Sequence, residues 1–199
     1  MISALRARVA QADQEFVAQG GLYFGISAGR GYYNGPMDDG TTALLRDLIR
    51  GQRIAALGTL RQGAPLVSMV LYLPSPDFSA LYLHVSRLAW HTQDMLADPR
   101  VSLSIAQTDE PANPALDPQR LARVSVRGEA TTIPDDAQVH PELKAAWLHR
   151  FPDSAVTFEL ADFSFFRIAP HDARFVAGFG RIHNLSAEAL VAVSADVSK

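Results

Sequence analysis

Short apolar segments joined by tight turns occupy the middle of this 199-residue chain, and they constrain its fold more than any other feature. Residues 54–60 and 65–73 flank the turn Arg61-Gln62-Gly63, which predicts a β-hairpin. Further strands are predicted at residues 81–85, 101–106, 122–132, 163–168 and 174–177. Short strands connected mainly by hairpins favour an antiparallel β-barrel over a doubly wound parallel sheet.

A few predicted helices lie between and beside these strands. Thr41 is a good N-cap for a helix that carries Leu44, Leu45, Leu48 and Ile49, and Ser186 is a good N-cap for a C-terminal helix. Helices are also predicted over residues 89–97 and 135–150. Residues 1–40 combine a helical stretch with a segment rich in glycine and tyrosine, so we expect an N-terminal arm there and one domain over 41–199.

Composition removes several classes of function. The formal charge of -3 and the pI near 6.0 give no general attraction to nucleic acid or to anionic lipid. The chain has no cysteine, so it has neither a thiolate nucleophile nor a zinc ribbon, and no metal site is predicted. No apolar stretch approaches the roughly 20 residues that cross a bilayer, and no signal-peptide pattern is present. We therefore expect a cytoplasmic protein without nucleic-acid or membrane partners.

Residues 80–105 carry the clearest functional pattern. They predict a strand, a Ser86-Arg87 turn, a short helix that ends at Asp98-Pro99, and a second strand. This order places a hydroxyl, backbone N–H groups and a guanidinium where a strand leads into a helix, which suits a phosphate group. Alternatively, the same two residues cap the helix and pair with a surface carboxylate.

The order of elements from about residue 41 to 185 resembles the FMN-binding split-barrel proteins related to pyridoxamine 5′-phosphate oxidase. In that family a Ser-Arg-Lys turn holds the flavin phosphate, and Ser86-Arg87-Leu88 matches two of the three positions. The resemblance implies a mainly β, α+β fold: an antiparallel six-stranded split β-barrel with flanking helices. It also implies FMN as cofactor and a homodimer with two equivalent flavin sites between the subunits.

The resemblance assigns cofactor-binding roles to residues on several elements. One family strand faces the edge of the isoalloxazine ring, and an aromatic residue near the C-terminus packs by the flavin. The implied cofactor-binding residues are Val67, Ser68, Met69, Val70, His84, Val85, Ser86, Arg87, Arg123 and Phe175. Two family cations are absent, because Ser68 and Leu88 stand in their places, and we expect Arg123 to replace part of that charge.

An Arg-x-His pair receives the substrate phosphate in the family, and Arg181-Ile182-His183 keeps that spacing. A further family arginine is replaced by Leu185. Two of the implied cofactor-binding residues also have purely structural explanations. Phe175 could be a core residue, and His84 could be a strand histidine that faces solvent.

Three functions follow from the resemblance. The first is an FMN-dependent oxidoreductase acting on a small-molecule substrate, with catalytic residues that the sequence does not assign. The second is haem binding or haem degradation, since the GFGR segment is similar to haem-utilisation relatives; His183 and His171 are then the candidate axial ligands. The third is a flavin-binding protein without turnover.

Overall fold

The computed structural model describes residues 37–110, 113, 117–178 and 180–195, which contain four α-helices and eight β-strands. The helices are α1 (Asp39–Gly51), α2 (Trp90–Ala97), α3 (His140–Arg150) and α4 (Ala187–Ser194). The strands are β1 (Ile54–Arg61), β2 (Ala64–Leu71), β3 (Leu73–Pro74), β4 (Leu81–Ser86), β5 (Arg100–Ala106), β6 (Arg123–Ile133), β7 (Phe163–Val176) and β8 (Ile182–Ser186). Two 3₁₀ helices span Pro118–Arg120 and Pro152–Glu159. In these ranges, none of the helices has the length and apolar character needed to cross a membrane.

The strands form one antiparallel sheet in the order β2-β1-β5-β6-β7-β4-β3, with β8 paired to β7. Only Tyr72 separates β2 from β3, so the same stretch of chain pairs first with β1 and then with β4. This double pairing closes the sheet into a barrel. The predicted antiparallel barrel is confirmed. The count of eight described strands differs from six because the bend at Tyr72 divides one barrel strand and β8 adds another beside β7.

The first hairpin has the predicted turn. Gln62 and Gly63 both have positive φ, 53° and 81°, as a two-residue type I′ turn requires. The pairing runs from Ile54↔Leu71 to Arg61↔Ala64 without a register shift. The turn therefore fixes which side chains of β1 and β2 face the barrel interior and which face outward.

Two apolar clusters stabilise the domain. The larger fills the barrel and includes the fully buried Leu57, Leu83 and Leu103, with α1 and α4 contributing Leu45 and Leu190. The smaller cluster lies on the other face of β7, as the alternation along a strand requires. Its buried members are Ile133, Leu143, Trp147, Phe151 and Phe165. The second cluster fixes α3 against the outside of the barrel.

The structure corrects three sequence predictions. Helix α1 begins at Asp39, and its N-cap is Asp38, whose carboxylate accepts from the Thr41 N–H at 2.6 Å; the Thr41 assignment was wrong. Helix α3 begins at His140 rather than at residue 135. The two strands predicted at 163–168 and 174–177 are one strand, because β6 pairs along its whole length. Residues 1–36 of the predicted N-terminal arm lie outside the described residues, and its last two residues, Asp39 and Gly40, belong to α1.

A β-bulge interrupts the β6–β7 ladder. Arg127 pairs with Asp172 and Gly128 pairs with Pro170, which leaves His171 as the extra residue. Pro170 has no N–H to donate, and a bulge is where a strand tolerates proline. A Cβ on Gly128 would lie 2.2 Å from the Ala169 carbonyl oxygen, so only glycine allows the two backbones to approach this closely. The bulge therefore depends on Gly128.

We expect Gly128→Ala to lower the free energy of unfolding by about 2 to 3 kcal/mol, because backbone atoms must move to admit the methyl group. Gly58→Ala is the matched control, since a Cβ there meets its nearest atom at an ordinary 3.5 Å. Urea unfolding followed by circular dichroism measures both variants. Equal losses for the two variants would contradict the close approach at Gly128.

Candidate functional site

The predicted phosphate turn forms where β4 ends. Ser86 is the last residue of β4, and α2 begins four residues later at Trp90 with Ala89 as its N-cap. Ser86 is half-buried, whereas the Arg87 side chain is exposed. The strand-to-helix geometry expected for residues 80–105 is present, although no side chain caps α2.

Groups within the protein already accept hydrogen bonds from several donors of this turn. The Ser86 hydroxyl donates to the Asp162 carboxylate, and the Leu88 N–H donates to Ser86 Oγ at 3.0 Å. The Arg87 N–H donates to the Asp162 carbonyl at 2.7 Å, and Arg87 Nη2 donates to the Ala161 carbonyl at 2.5 Å. A phosphate at this turn would meet the Asp162 carboxylate, a like charge. The Asp162 carboxylate therefore opposes a phosphate here, and Ser86 contacts a carboxylate as in the structural alternative, although it does not cap α2.

His84 precedes the turn but belongs to an aromatic cluster. Its ring stacks on Phe158 at 4.1 Å between centroids, and its Nδ1 lies 3.2 Å from Thr157 Oγ1. Thr157 Oγ1 donates its own proton to the Ser154 carbonyl, so His84 Nδ1 donates to Thr157. Burial lowers the pKa of His84 to about 4, and nearby His140 and Lys144 add to the effect. His84 is therefore neutral at pH 7. The side chain of Val85, the next residue of β4, is buried in the barrel core.

The four residues predicted on β2 divide between two faces. Val67 and Met69 point outward and are 69% and 68% exposed, whereas Val70 is buried in the core. Ser68 is half-buried. Strand β2 pairs with β1, and among the described residues no second strand pairs with its other edge. In the described part of the chain, β2 is therefore an edge strand of the sheet.

The residues predicted near the C-terminus are held in different ways. Phe175 is fully buried in the barrel core, so its ring has the role of a core residue, the alternative to packing against a flavin. His183 is 8% exposed, lies 6.2 Å from the Phe175 ring, and has a buried Nδ1 without a hydrogen-bond partner among the described residues. Arg181 is exposed and donates to the Ala177 carbonyl at 2.7 Å. Arg123 is exposed, and its Nη1 donates to the Leu121 carbonyl at 3.3 Å.

One subunit does not bring these predicted residues together. Ser86 pairs with Phe163 at the start of β7, whereas His183 pairs with Phe175 near its end. Twelve residues of strand correspond to roughly 40 Å of contour length. Arg123 pairs with Val176 and so belongs to the His183 end of the sheet. The phosphate turn and the substrate-binding pair are therefore separate places in the monomer.

The structure places another group of polar residues around a cavity on the outer face of β5 to β8. The cavity has a volume of about 660 Å³, in the range of ordinary ligand pockets. His171, the extra residue of the bulge, lines it and is exposed. Other lining residues are Ser102, Ser125, Arg127, Arg174 and Asn184. The bulge thus contributes a histidine to a cavity that also contains two arginines.

Both arginines of this cavity have neighbours that hold them in place. Arg127 donates to both Asp172 carboxylate oxygens, at 2.8 and 2.5 Å, and these hydrogen bonds lower the pKa of Asp172. Arg174 Nη1 donates to Asn184 Oδ1 at 3.2 Å. The alternation of side chains along the strand at residues 123–129 is enough to predict from sequence that Ser125 and Arg127 lie on the same face of the sheet. From the sequence, His171 is a candidate iron ligand, but its place beside Ser125 and Arg127 was missed because residues 169–173 were predicted to lie between two strands.

Asp162→Ala should increase the affinity for FMN by about tenfold or more, because it removes a like charge and frees the Ser86 hydroxyl. The measurement is quenching of flavin fluorescence on titration. Asp153→Ala, which removes an exposed carboxylate from the neighbouring 3₁₀ helix, is the matched control and should leave the affinity unchanged. Tight FMN binding by the wild-type chain would contradict this account of the turn.

Curated relatives of the chain are named for haem. It is 34% identical over 137 residues to the non-canonical haem oxygenase HOZ, chloroplastic, of Arabidopsis thaliana, covering 67% of this chain and 39% of that protein. It is 26% identical over 131 residues to the haem oxygenase HutZ of Vibrio cholerae, covering 65% of this chain and 72% of that protein. The chain thus spans about two fifths of the length of the Arabidopsis relative.

Solved structures of other proteins have a similar fold. A haem-binding protein from Mycobacterium smegmatis has a TM-score of 0.68 and 26% identity, covering 79% of this chain and 62% of that one. A Listeria innocua protein assigned as a pyridoxamine 5′-phosphate oxidase has a TM-score of 0.53 and 15% identity, covering 69% and 98% of the two chains, and it shows the fold alone. The family model for the CREG β-barrel matches residues 37–191. The chain therefore belongs to the CREG β-barrel family, whose fold the flavin-binding split barrels share.

Proposed function

We propose that this protein binds haem in the cavity on the outer face of β5 to β8, with His171 as the axial ligand. The position of His171 carries the proposal: the bulge leaves it unpaired in the ladder, exposed, and at the wall of a 660 Å³ cavity. Bulges occur preferentially near binding sites, where they redirect a side chain. The names of the curated relatives support the same ligand.

The other polar residues of this cavity could bind the carboxylate groups at the edge of a haem. Imidazole nitrogen is a common ligand of iron, and guanidinium groups bind carboxylates such as the haem propionates. Arg127 would then exchange Asp172 for a propionate, and Arg174 would add a second cation. His183 is the weaker candidate for the iron ligand because its side chain, on β8, is only 8% exposed. The donor set on this face therefore fits haem.

Oxidative haem degradation is the activity that we propose for the bound group. Both curated relatives are named haem oxygenases, and the match to one of them covers most of its length. The haem iron would supply the oxygen chemistry when bound, and this chain would hold the group through the His171 imidazole and the Arg127 and Arg174 guanidinium groups.

FMN is the second candidate cofactor, favoured by the exposed Arg87 guanidinium at the end of β4. An FMN-dependent oxidoreductase would use Arg181 and His183 for a phosphate-bearing substrate. The Asp162 carboxylate at the phosphate turn opposes this candidate, so we rank it below haem.

Haem titration tests the proposal. Addition of hemin to the purified chain should produce a shifted Soret band with saturation near one haem per subunit. His171→Ala should weaken binding at least tenfold, about 1.4 kcal/mol, because the axial bond is lost. His149→Ala, at an exposed histidine of α3 outside the cavity, should bind like the wild type.

Two results would overturn the assignment. An unchanged Soret band in His171→Ala, combined with its loss in His183→Ala, would move the axial ligand to β8. A flavin spectrum in the purified protein, with no response to hemin, would favour FMN.

We also propose a homodimer formed through the outer face of β1 and β2. Four apolar side chains are exposed there, Ile54, Val67, Met69 and Leu71, at 49%, 69%, 68% and 37%. The hairpin register places Ile54 opposite Leu71 and Met69 opposite Ala56, so these side chains form one patch. A continuous apolar patch of this kind is typical of an interface between proteins.

Met69→Glu should convert the dimer, with twice the chain mass of 21.6 kDa, to a monomer, because a charge would be buried at the centre of the patch. Val156→Glu, at a 59% exposed valine outside the sheet, is the matched control. Light scattering after size exclusion measures both masses. A monomeric wild-type chain, or identical behaviour of the two variants, would exclude this interface.

A further inference from the structure

A second cavity lies between α3 and the segment that joins β3 to β4, away from the outer face of β5 to β8. Its volume is about 410 Å³, which is within the usual range for small-molecule pockets. Its walls are mainly apolar. The apolar wall includes Leu73, Pro74, Phe78, Tyr82, Val139 and Leu143.

Charges lie at the two ends of this cavity. Glu142, Ala146 and Arg150 all line it, and their spacing of four residues places them along one face of α3. Eight residues of helix separate the carboxylate from the guanidinium by about 12 Å. Arg50 lines the cavity as well, with its guanidinium carbon 5.5 Å from the centre of the Phe78 ring. One end is therefore positive and the middle is apolar.

The Arg150 guanidinium is held rigidly but has no counter-ion. Its Nη2 donates to the carbonyls of Arg50, at 3.0 Å, and Gln52, and its carbon lies 5.9 Å from the Tyr72 ring. Its Nε is buried without an acceptor, and Nη1 donates to no acceptor among the described residues. Neither Arg150 nor its neighbour Arg53 has an ion pair with a carboxylate in the described part of the chain.

Such a cation is costly to leave unpaired. Burial lowers the pKa of Arg150, and the charge of Arg53 lowers it further. The hydrogen bonds to two carbonyls satisfy Nη2 but contribute no opposite charge. A carboxylate that enters the cavity would supply both the charge and an acceptor. Glu142 does not fill this role, since it is exposed and lies two helical turns away.

We propose that this cavity binds a small amphipathic monocarboxylate, with its carboxylate on the Arg150 guanidinium and its apolar body between Phe78, Tyr82 and α3. Charge complementarity fixes the orientation of the ligand, and the apolar wall provides most of the buried contact. The site uses none of the residues assigned to haem, so it stands independently of the proposed function.

Calorimetric titration with 4-phenylbutyrate tests the site, and the uncharged 4-phenylbutanamide is the matched ligand. The wild-type chain should bind the carboxylate at least tenfold more tightly than the amide. Arg150→Gln should reduce that ratio to near one, because the charge interaction is lost. Equal affinities of the wild type for the two ligands, or an unchanged ratio in Arg150→Gln, would overturn the proposal.

A second pair of variants leaves Arg150 intact. Ala146→Trp fills the cavity from α3, whereas Ala145→Trp places the same side chain at the next exposed position of the helix, outside the cavity. Ala146→Trp should abolish binding of 4-phenylbutyrate, and Ala145→Trp should keep the wild-type affinity. Circular dichroism melts confirm that both are folded. Retained binding in Ala146→Trp, or equal loss in both variants, would place the ligand elsewhere.

Discussion

The β6–β7 ladder with its bulge is the constraint on which the rest of this domain depends. It is the pairing that joins the β1–β5 side of the barrel to β4 and β8. Its inward side chains, among them Val124, Phe166 and Phe175, form much of the barrel core. Its outward side chains form the wall of the larger cavity. The close approach of Gly128 to the Ala169 carbonyl therefore affects the core and the cavity together.

The same long strand explains why the predicted flavin-binding and substrate-binding residues do not form one site in a subunit. Ser86 lies beside one end of β7 and His183 beside the other. A site that used both would need a second subunit to bring the two ends together. Asp162, which immediately precedes β7, adds a further reason, since its carboxylate already accepts from the Ser86 hydroxyl. The Ser86-Arg87 turn therefore lies at the expected strand end, but this position alone does not show that it binds a flavin phosphate.

Arginine has different roles at the two cavities because its neighbours differ. Arg127 is paired with Asp172 at an exposed position, so its charge is already balanced before any ligand binds. Arg150 is anchored by carbonyl groups and aromatic rings, so its charge is not balanced. Surface ion pairs add little net stability, which leaves Arg127 free to exchange partners. The half-buried Arg150 cation instead favours a ligand with an opposite charge.

Local sequence determined the strands, the Gln62-Gly63 turn and the antiparallel barrel, because alternation and turn chemistry act over a few residues. It also placed Ser86 and Arg87 correctly at the end of a strand. Tertiary structure alone decided what these residues contact, because Asp162 is 76 residues away from Ser86 in the chain. The bulge that exposes His171 could not be predicted from the sequence either, since it arises from the pairing register between β6 and β7. Local sequence thus predicted most of the elements, whereas long-range pairing joined two of them into β7 and selected the side chains that line the larger cavity.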